Sequence, residues 1–373
     1  MIENFRELGV SEELCLRLSK LRIHTPTQVQ IKTIPHALQG MDIIAQAQTG
    51  TGKTLAFLIP ILERLQAAQE HIGALVITPT RELAIQIAGE AQKFLSVKGC
   101  NVLSAYGGQD VEKQLHRLKG KIHLVVGTPG RILDHLRRGS FDFSRLQILV
   151  LDEADQMLQM GFIEEVDRII TQTPSQKQMM CFSATLDKPV KKLAKDYMRR
   201  PHYVSVRADK PTLEGIEQIA VLTTDRGKQE ALRRMIDEQR PFMALIFCRT
   251  KRRVQNLNAA LRERGYISDE LHGDMSQAKR EKVMKDFRQT KIPLLVATDV
   301  AARGLDIEGV THVYIYDMME DTTSYIHRIG RTGRASREGT AVMFVTPRQD
   351  GDLQRLEEEI KVEIKKINFR KYR

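Results

Sequence analysis

The sequence predicts an α/β protein made of two tandem units, each a mostly parallel sheet flanked by helices. Three observations carry that expectation. Short β-branched runs alternate with longer helical patterns, the strand runs end in polar turns, and the second half repeats strand signatures of the first. Length agrees, because 373 residues exceed what one hydrophobic core comfortably serves.

Taken in order, MDIIAQ reads as a strand and LAFLIPILERL as the helix that follows it. HIGALVITPT is a buried strand, and RELAIQIAGEAQKFL an amphipathic helix. KIHLVVGTPG, LQILVLDEAD and KQMMCFSAT are further strands, with EEVDRIITQT a helix among them. Strand, helix, strand in repetition argues for parallel pairing through right-handed crossovers. Ligands of such sheets bind at the carboxyl ends of the strands, where the tails TPT, TPGR, DEAD and SAT fall. In the second half, Ala244–Thr250 resembles Ala74–Thr80 and Leu294–Thr298 resembles Leu124–Thr128, both at one offset. The expected boundaries are a first unit at 1–207, a linker at 208–212 within VRADKPTLEGIEQ, and a second unit at 213–373. The tail KKINFRKYR reads as a solvated helix end or a minor nucleic-acid contact.

A net charge of +11 favours a polyanionic partner such as nucleic acid, although a generally basic surface is the blander account. Hydrophobic content of 42% and charged content of 28% are ordinary for a soluble globular chain. No long apolar run or basic amphipathic anchor points to a membrane. The N-terminus is acidic where a secretion signal would be basic, so a cytoplasmic location is expected. Cys15, Cys100, Cys181 and Cys248 lie far apart without C-x-x-C spacing, which suggests reduced thiols.

AQTGTGKT, residues 47–54, sits between a strand and a helix, as a phosphate-binding loop requires. Gly50 and Gly52 let backbone N–H groups of the loop (Gln48, Thr49, Thr51) approach phosphate oxygens. Lys53 reaches the β- and γ-phosphates, and Thr54 offers a ligand to Mg²⁺. Ala47 departs from the glycine that usually opens this loop. Asp152, ending the strand of LQILVLDEAD, stands ready to hold Mg²⁺ with Thr54, and Glu153 to orient or deprotonate an attacking water. Asp and Glu also favour first helical turns, so a simple helix start competes.

In this order the motifs closely resemble the DEAD-box family of RNA helicases. TPTQVQ, AQTGTGKT, PTREL, TPGR, DEAD and SAT fill the first half; FCRT, QAKR, ATDVAARGLD and HRIGRTGR fill the second. The resemblance implies two RecA-like domains that bind ATP and Mg²⁺, hydrolyse ATP, and locally unwind short RNA duplexes. It implies adenine recognition by Gln30 and Phe5, although Arg22 and Ile23 replace the glycine and aromatic common before this motif. It implies backbone contacts to single-stranded RNA or short duplexes by Arg81, Gly108, Thr128, Gly130 and Arg131. The second domain would add Arg249, Gln277, Arg280, Thr298 and Arg303. Ser183, Thr185 and His327 would couple nucleotide state to strand separation, Asp306 would contact nucleotide, and Arg331 and Arg334 would answer to the γ-phosphate. Read without the family, TPGR is equally a plain helix start, Arg81 a surface ion-pair partner, and Asp306 a partner of Arg303. Other readings are a DNA translocase and a non-catalytic RNA clamp. A monomer is expected, with its protein partners open.

Overall fold

The computed structural model describes residues 4–48, 50–96, 98–108, 121–206, 215–302, 309–319, 322–333 and 338–369. The chain divides into two compact units, residues 1–208 and 209–373. The expected linker, together with Thr49, Arg303, Asp306 and Arg334, lies outside the described residues.

The first unit holds seven strands: β1 (Ile43–Gln46), β2 (Ala74–Ile77), β3 (Val102–Ala105), β4 (Leu124–Gly127), β5 (Ile148–Leu151), β6 (Gln178–Ser183) and β7 (His202–Ser205). They lie in the order β3-β4-β2-β5-β6-β1-β7, and every pairing is parallel. The second unit holds β8 (Ile216–Leu222), β9 (Ala244–Cys248), β10 (Ser268–Leu271), β11 (Leu294–Thr298), β12 (His312–Ile315), β13 (Gly339–Val345) and β14 (Lys365–Asn368). Its order, β10-β11-β9-β12-β13-β8-β14, is that of the first sheet with each strand replaced by its counterpart, again all parallel. The resemblances seen in sequence therefore pair β2 with β9 and β4 with β11 at equivalent places in two copies of one topology.

Both faces of each sheet are covered, which is why the central strands are continuously apolar. In β2, Ala74 and Val76 join one cluster with helix Lys53–Arg64, while Leu75 and Ile77 join the other. In β9, Leu245 and Phe247 face one way, and Ala244, Ile246 and Cys248 the other.

One local expectation is corrected. Lys365–Asn368 of the basic tail is an edge strand on β8, not a helix end, because Ile367 packs on the core beside β8 while Lys365 and Lys366 pair outward with Glu217 and Glu357. The helix carrying His327 and Arg328 spans Thr322–Ile329 and stops before Arg331.

Candidate functional site

Three neighbouring strands of the first sheet, β5, β6 and β1, deliver the residues expected at the phosphates. The chain leaves β1 with the Ala47 N–H still bonded to Ser183 O at 2.9 Å, so the loop begins as an extension of the sheet. Ala47 has no positive φ, and here the missing glycine costs no backbone strain. Gly50 and Gly52 do have positive φ, at 83° and 92°, and Gly52 caps the N-terminus of helix Lys53–Arg64. Thr51 Oγ1 donates to Gln48 O at 2.7 Å and closes the turn. Lys53 is 7% exposed, and among the described residues its buried Nζ has no hydrogen-bond partner. An unpaired buried ammonium at a helix N-terminus is costly unless an anion meets it, and that fits a phosphate.

Asp152 follows β5, its N–H bonded to Ile77 O at 2.9 Å. Burial pushes its carboxyl up to about 7; the Lys53 ammonium opposes that rise and the Glu153 carboxylate adds to it. A carboxylate so desolvated is suited to a cation. Thr54, half-buried one position past Lys53, completes a plausible Mg²⁺ donor set of hydroxyl and carboxylate. Glu153 takes the left-handed conformation, φ 54° and ψ 49°, rare for a non-glycine residue and a form of strain that concentrates at functional sites.

Asp155, which the sequence reading passed over, joins β5 to β6. Its Oδ2 accepts from the Thr185 N–H at 3.0 Å and from Thr185 Oγ1 at 3.1 Å, and its own N–H donates to Ser183 Oγ at 3.2 Å. Gln30 is placed by a capping box with Thr27 at the start of helix Gln28–Leu38. Its Oε1 accepts from the Thr27 N–H at 2.9 Å and its Nε2 donates to Gly52 O at 3.0 Å, so it touches the phosphate loop itself. Phe5 is buried and lines a cavity with Ile23 and Thr25.

The remaining strands of this edge, β3, β4 and β2, gather the other candidates. Arg81 opens helix Arg81–Leu95 after β2, and its guanidinium lies against Gly107, next to Gly108. Thr128 opens helix Pro129–Arg137 without capping it by its side chain, and Gly130 faces open space. Arg131 is mostly buried, with Asp134 3.9 Å away.

In the second unit, Arg249 follows β9 and its N–H donates to Asp317 Oδ2 at 3.0 Å. Thr298 ends the neighbouring β11. Gln277 Nε2 donates to Glu281 at 2.9 Å. Arg280 is 7% exposed and donates to His272 O at 3.2 Å, an inward position rather than an outward one. Arg328 is buried: it pairs with both carboxylate oxygens of Asp299, donates to Asp317 O at 3.0 Å, and lies 5.2 Å from the Phe247 ring centroid. It therefore ties together the ends of β9, β11 and β12. Arg331 is partly exposed and donates through Nε to the His327 carbonyl at 3.2 Å.

Comparison with known proteins gives a consistent picture. A DEAD/DEAH box helicase family model matches residues 27–193, and a helicase conserved C-terminal domain model matches residues 227–336. The chain is 48% identical over 96% of its length, and over 68% of the relative, to the DEAD-box ATP-dependent RNA helicase CshA of Bacillus cereus. It is also 48% identical to the protein of the same name in Geobacillus kaustophilus, over 97% of this chain and 78% of that one. Among solved structures it matches S. cerevisiae Dbp5 bound to RNA and ADP BeF3 with a TM-score of 0.90, 29% identity, and coverage of 98% of this chain and 96% of that one.

Proposed function

The chain belongs to the DEAD-box helicase family, and on that premise we propose that it is an ATP-dependent RNA helicase whose ATPase is stimulated by RNA. The observation that carries the nucleotide half of the reading is the buried, unpartnered Lys53 ammonium beside the desolvated Asp152. The triphosphate rests on the loop of Gln48 to Gly52, with Lys53 on its terminal phosphates. Thr54 and Asp152 would hold Mg²⁺, which would neutralise phosphate charge when bound. Glu153 accepts the proton of the attacking water. Gln30, already hydrogen-bonded to the loop, turns a remaining amide hydrogen to the base edge, with Phe5 packing nearby. Arg331 and Arg334 of the second unit supply the cations that stabilise charge on the γ-phosphate in the transition state. Asp306 contacts the nucleotide, and Ser183, Thr185 and His327 couple its state to the RNA.

RNA is held by its backbone, so binding is largely independent of sequence. Arg81, Gly108, Thr128, Gly130 and Arg131 supply the contacts of the first unit; Arg249, Gln277, Arg280, Thr298 and Arg303 supply those of the second. Arg280 must turn outward to do so. Among the described residues no helix is long and apolar enough to cross a membrane. A cytoplasmic location is part of the same proposal.

Steady-state phosphate release with and without RNA tests this reading. RNA should raise turnover at least tenfold, DNA should not, and Glu153→Gln should bind ATP and RNA while losing hydrolysis about 100-fold or more. Indifference to RNA, or full turnover by Glu153→Gln, would count against it.

A further inference from the structure

At the sheet position where the first unit carries its phosphate loop, the second unit carries another glycine–lysine turn. β8 takes the place of β1, and Gly227–Lys228 open helix Lys228–Gln239 as Gly52–Lys53 open theirs. Asp317, two residues beyond β12, stands at the register position of Glu153, two residues beyond β5, while Tyr316 takes that of Asp152. Lys228 is 2% exposed, with Nζ 3.9 Å from Asp317 Oδ1 and 5.9 Å from the Tyr316 ring centroid. The Arg253 Nε lies 3.0 Å from the same Asp317 oxygen, and its guanidinium 5.7 Å from the same ring. Lys228, Arg253 and Asp317, with Arg249, Arg348 and Asp225, line one cavity in which cations outnumber carboxylates.

The copy has lost the features that hold a polyphosphate. Gly227 has φ −83°, whereas Gly52 has φ 92°. Thr224 closes the turn: its Oγ1 accepts from the Gly227 N–H at 3.1 Å and its carbonyl from the Lys228 N–H at 3.0 Å. The backbone donors that would cradle a row of phosphates are thus already engaged. What persists is a cavity of side-chain cations, held from below by Asp317, with guanidinium forks suited to one phosphate group.

We propose that this cavity takes a single phosphate of an RNA backbone, extending the RNA path of the second unit past Arg249. The inference rests on the RNA-helicase reading above. Arg249 carries the connection, because it stands both on the cavity wall and beside Thr298 across β9 and β11.

The test measures binding of uridine strands of about 6 and about 20 nucleotides, lengths on either side of a single domain's footprint, across a salt series with a non-hydrolysable ATP analogue present. Arg348→Ala and Arg253→Ala are compared with the wild type, with thermal melts confirming the fold. The long strand should bind each variant roughly 3- to 10-fold more weakly, with the log–log salt slope reduced by about 0.7, while the short strand binds unchanged. An unchanged slope on the long strand, or an equal loss on both strands, overturns the proposal. So does displacement of the long strand by inorganic phosphate from the wild type but not from Arg348→Ala, which would make the cavity a free-anion site. A wild type that binds neither strand, or whose ATPase ignores RNA, instead sinks the helicase reading itself.

Discussion

Gly52 is constrained from two directions, and Gly50 from one. A Cβ on Gly52 would stand 2.6 Å from Gln30 Nε2 and 2.8 Å from Thr27 Oγ1, at a φ of 92° that L-residues avoid; a Cβ on Gly50 would meet nothing within 4 Å. Alanine at Gly50 therefore costs the left-handed penalty alone, about 1–2 kcal/mol. Alanine at Gly52 must also expel Gln30, so Gly52→Ala should lose ATP affinity at least tenfold more than Gly50→Ala. Nucleotide titrations of the two variants decide this, and equal losses would remove Gln30 from the site. Arg22 poses the reverse case. It holds φ 61° where the family commonly has glycine, just past helix Glu12–Lys20. Arg22→Gly relieves that strain but frees the unfolded chain, a net gain of up to about 1 kcal/mol in urea melts. A loss of stability would show that the Arg22 side chain contributes more than its backbone costs.

At the scale of elements, Asp155 links the acidic turn after β5 to the turn after β6. Thr185→Ala deletes the hydroxyl donor at 3.1 Å and leaves the backbone donor at 3.0 Å. Losing one hydrogen bond to a buried carboxylate costs about 1–3 kcal/mol. If this link carries coupling, ATP affinity should stay within about twofold while strands separated per ATP hydrolysed fall severalfold. A parallel fall in hydrolysis and unwinding would make Thr185 merely structural. The elements that place these residues were the legible ones. β2, β4 and β5 are buried along their whole length and so read as apolar runs, and helix Arg81–Leu95 covers the span its periodicity predicts. The edge strands β3, β7 and β14 are buried only in part and offer no such run. In the site, strand-end carboxylates and the glycine-rich loop announce themselves by spacing. Asp155, and the pairing of Lys228 with Asp317, do not: each depends on which strands become neighbours, which local pattern does not encode.

At the scale of the whole molecule, each unit has an apolar cluster on both faces of its own sheet, and this predicts that each folds alone. Residues 1–208 expressed separately should melt cooperatively and bind ATP. Lacking Arg331, they should show no RNA-stimulated hydrolysis. The pH response of this fragment follows from one buried and two half-buried histidines together with Asp152. Burial holds His36, His71 and His135 below their ordinary value of 6.5, with the neighbouring His202 adding to the effect at His36. As pH falls through 6.5 the unfolded chain takes up these protons before the folded one does, so stability declines. Asp152 works the other way, because its folded carboxyl keeps a proton up to about 7 while the unfolded one releases it near 3.8. The two effects oppose one another in that window, and Asp152→Asn separates them. Asp152→Asn removes the raised carboxyl, so between about pH 7.5 and about pH 5.5 its melting midpoint should fall relative to that of the wild-type fragment. A midpoint that holds steady or rises on acidification, in both fragment and variant, would mean that these histidines are protonated within the fold.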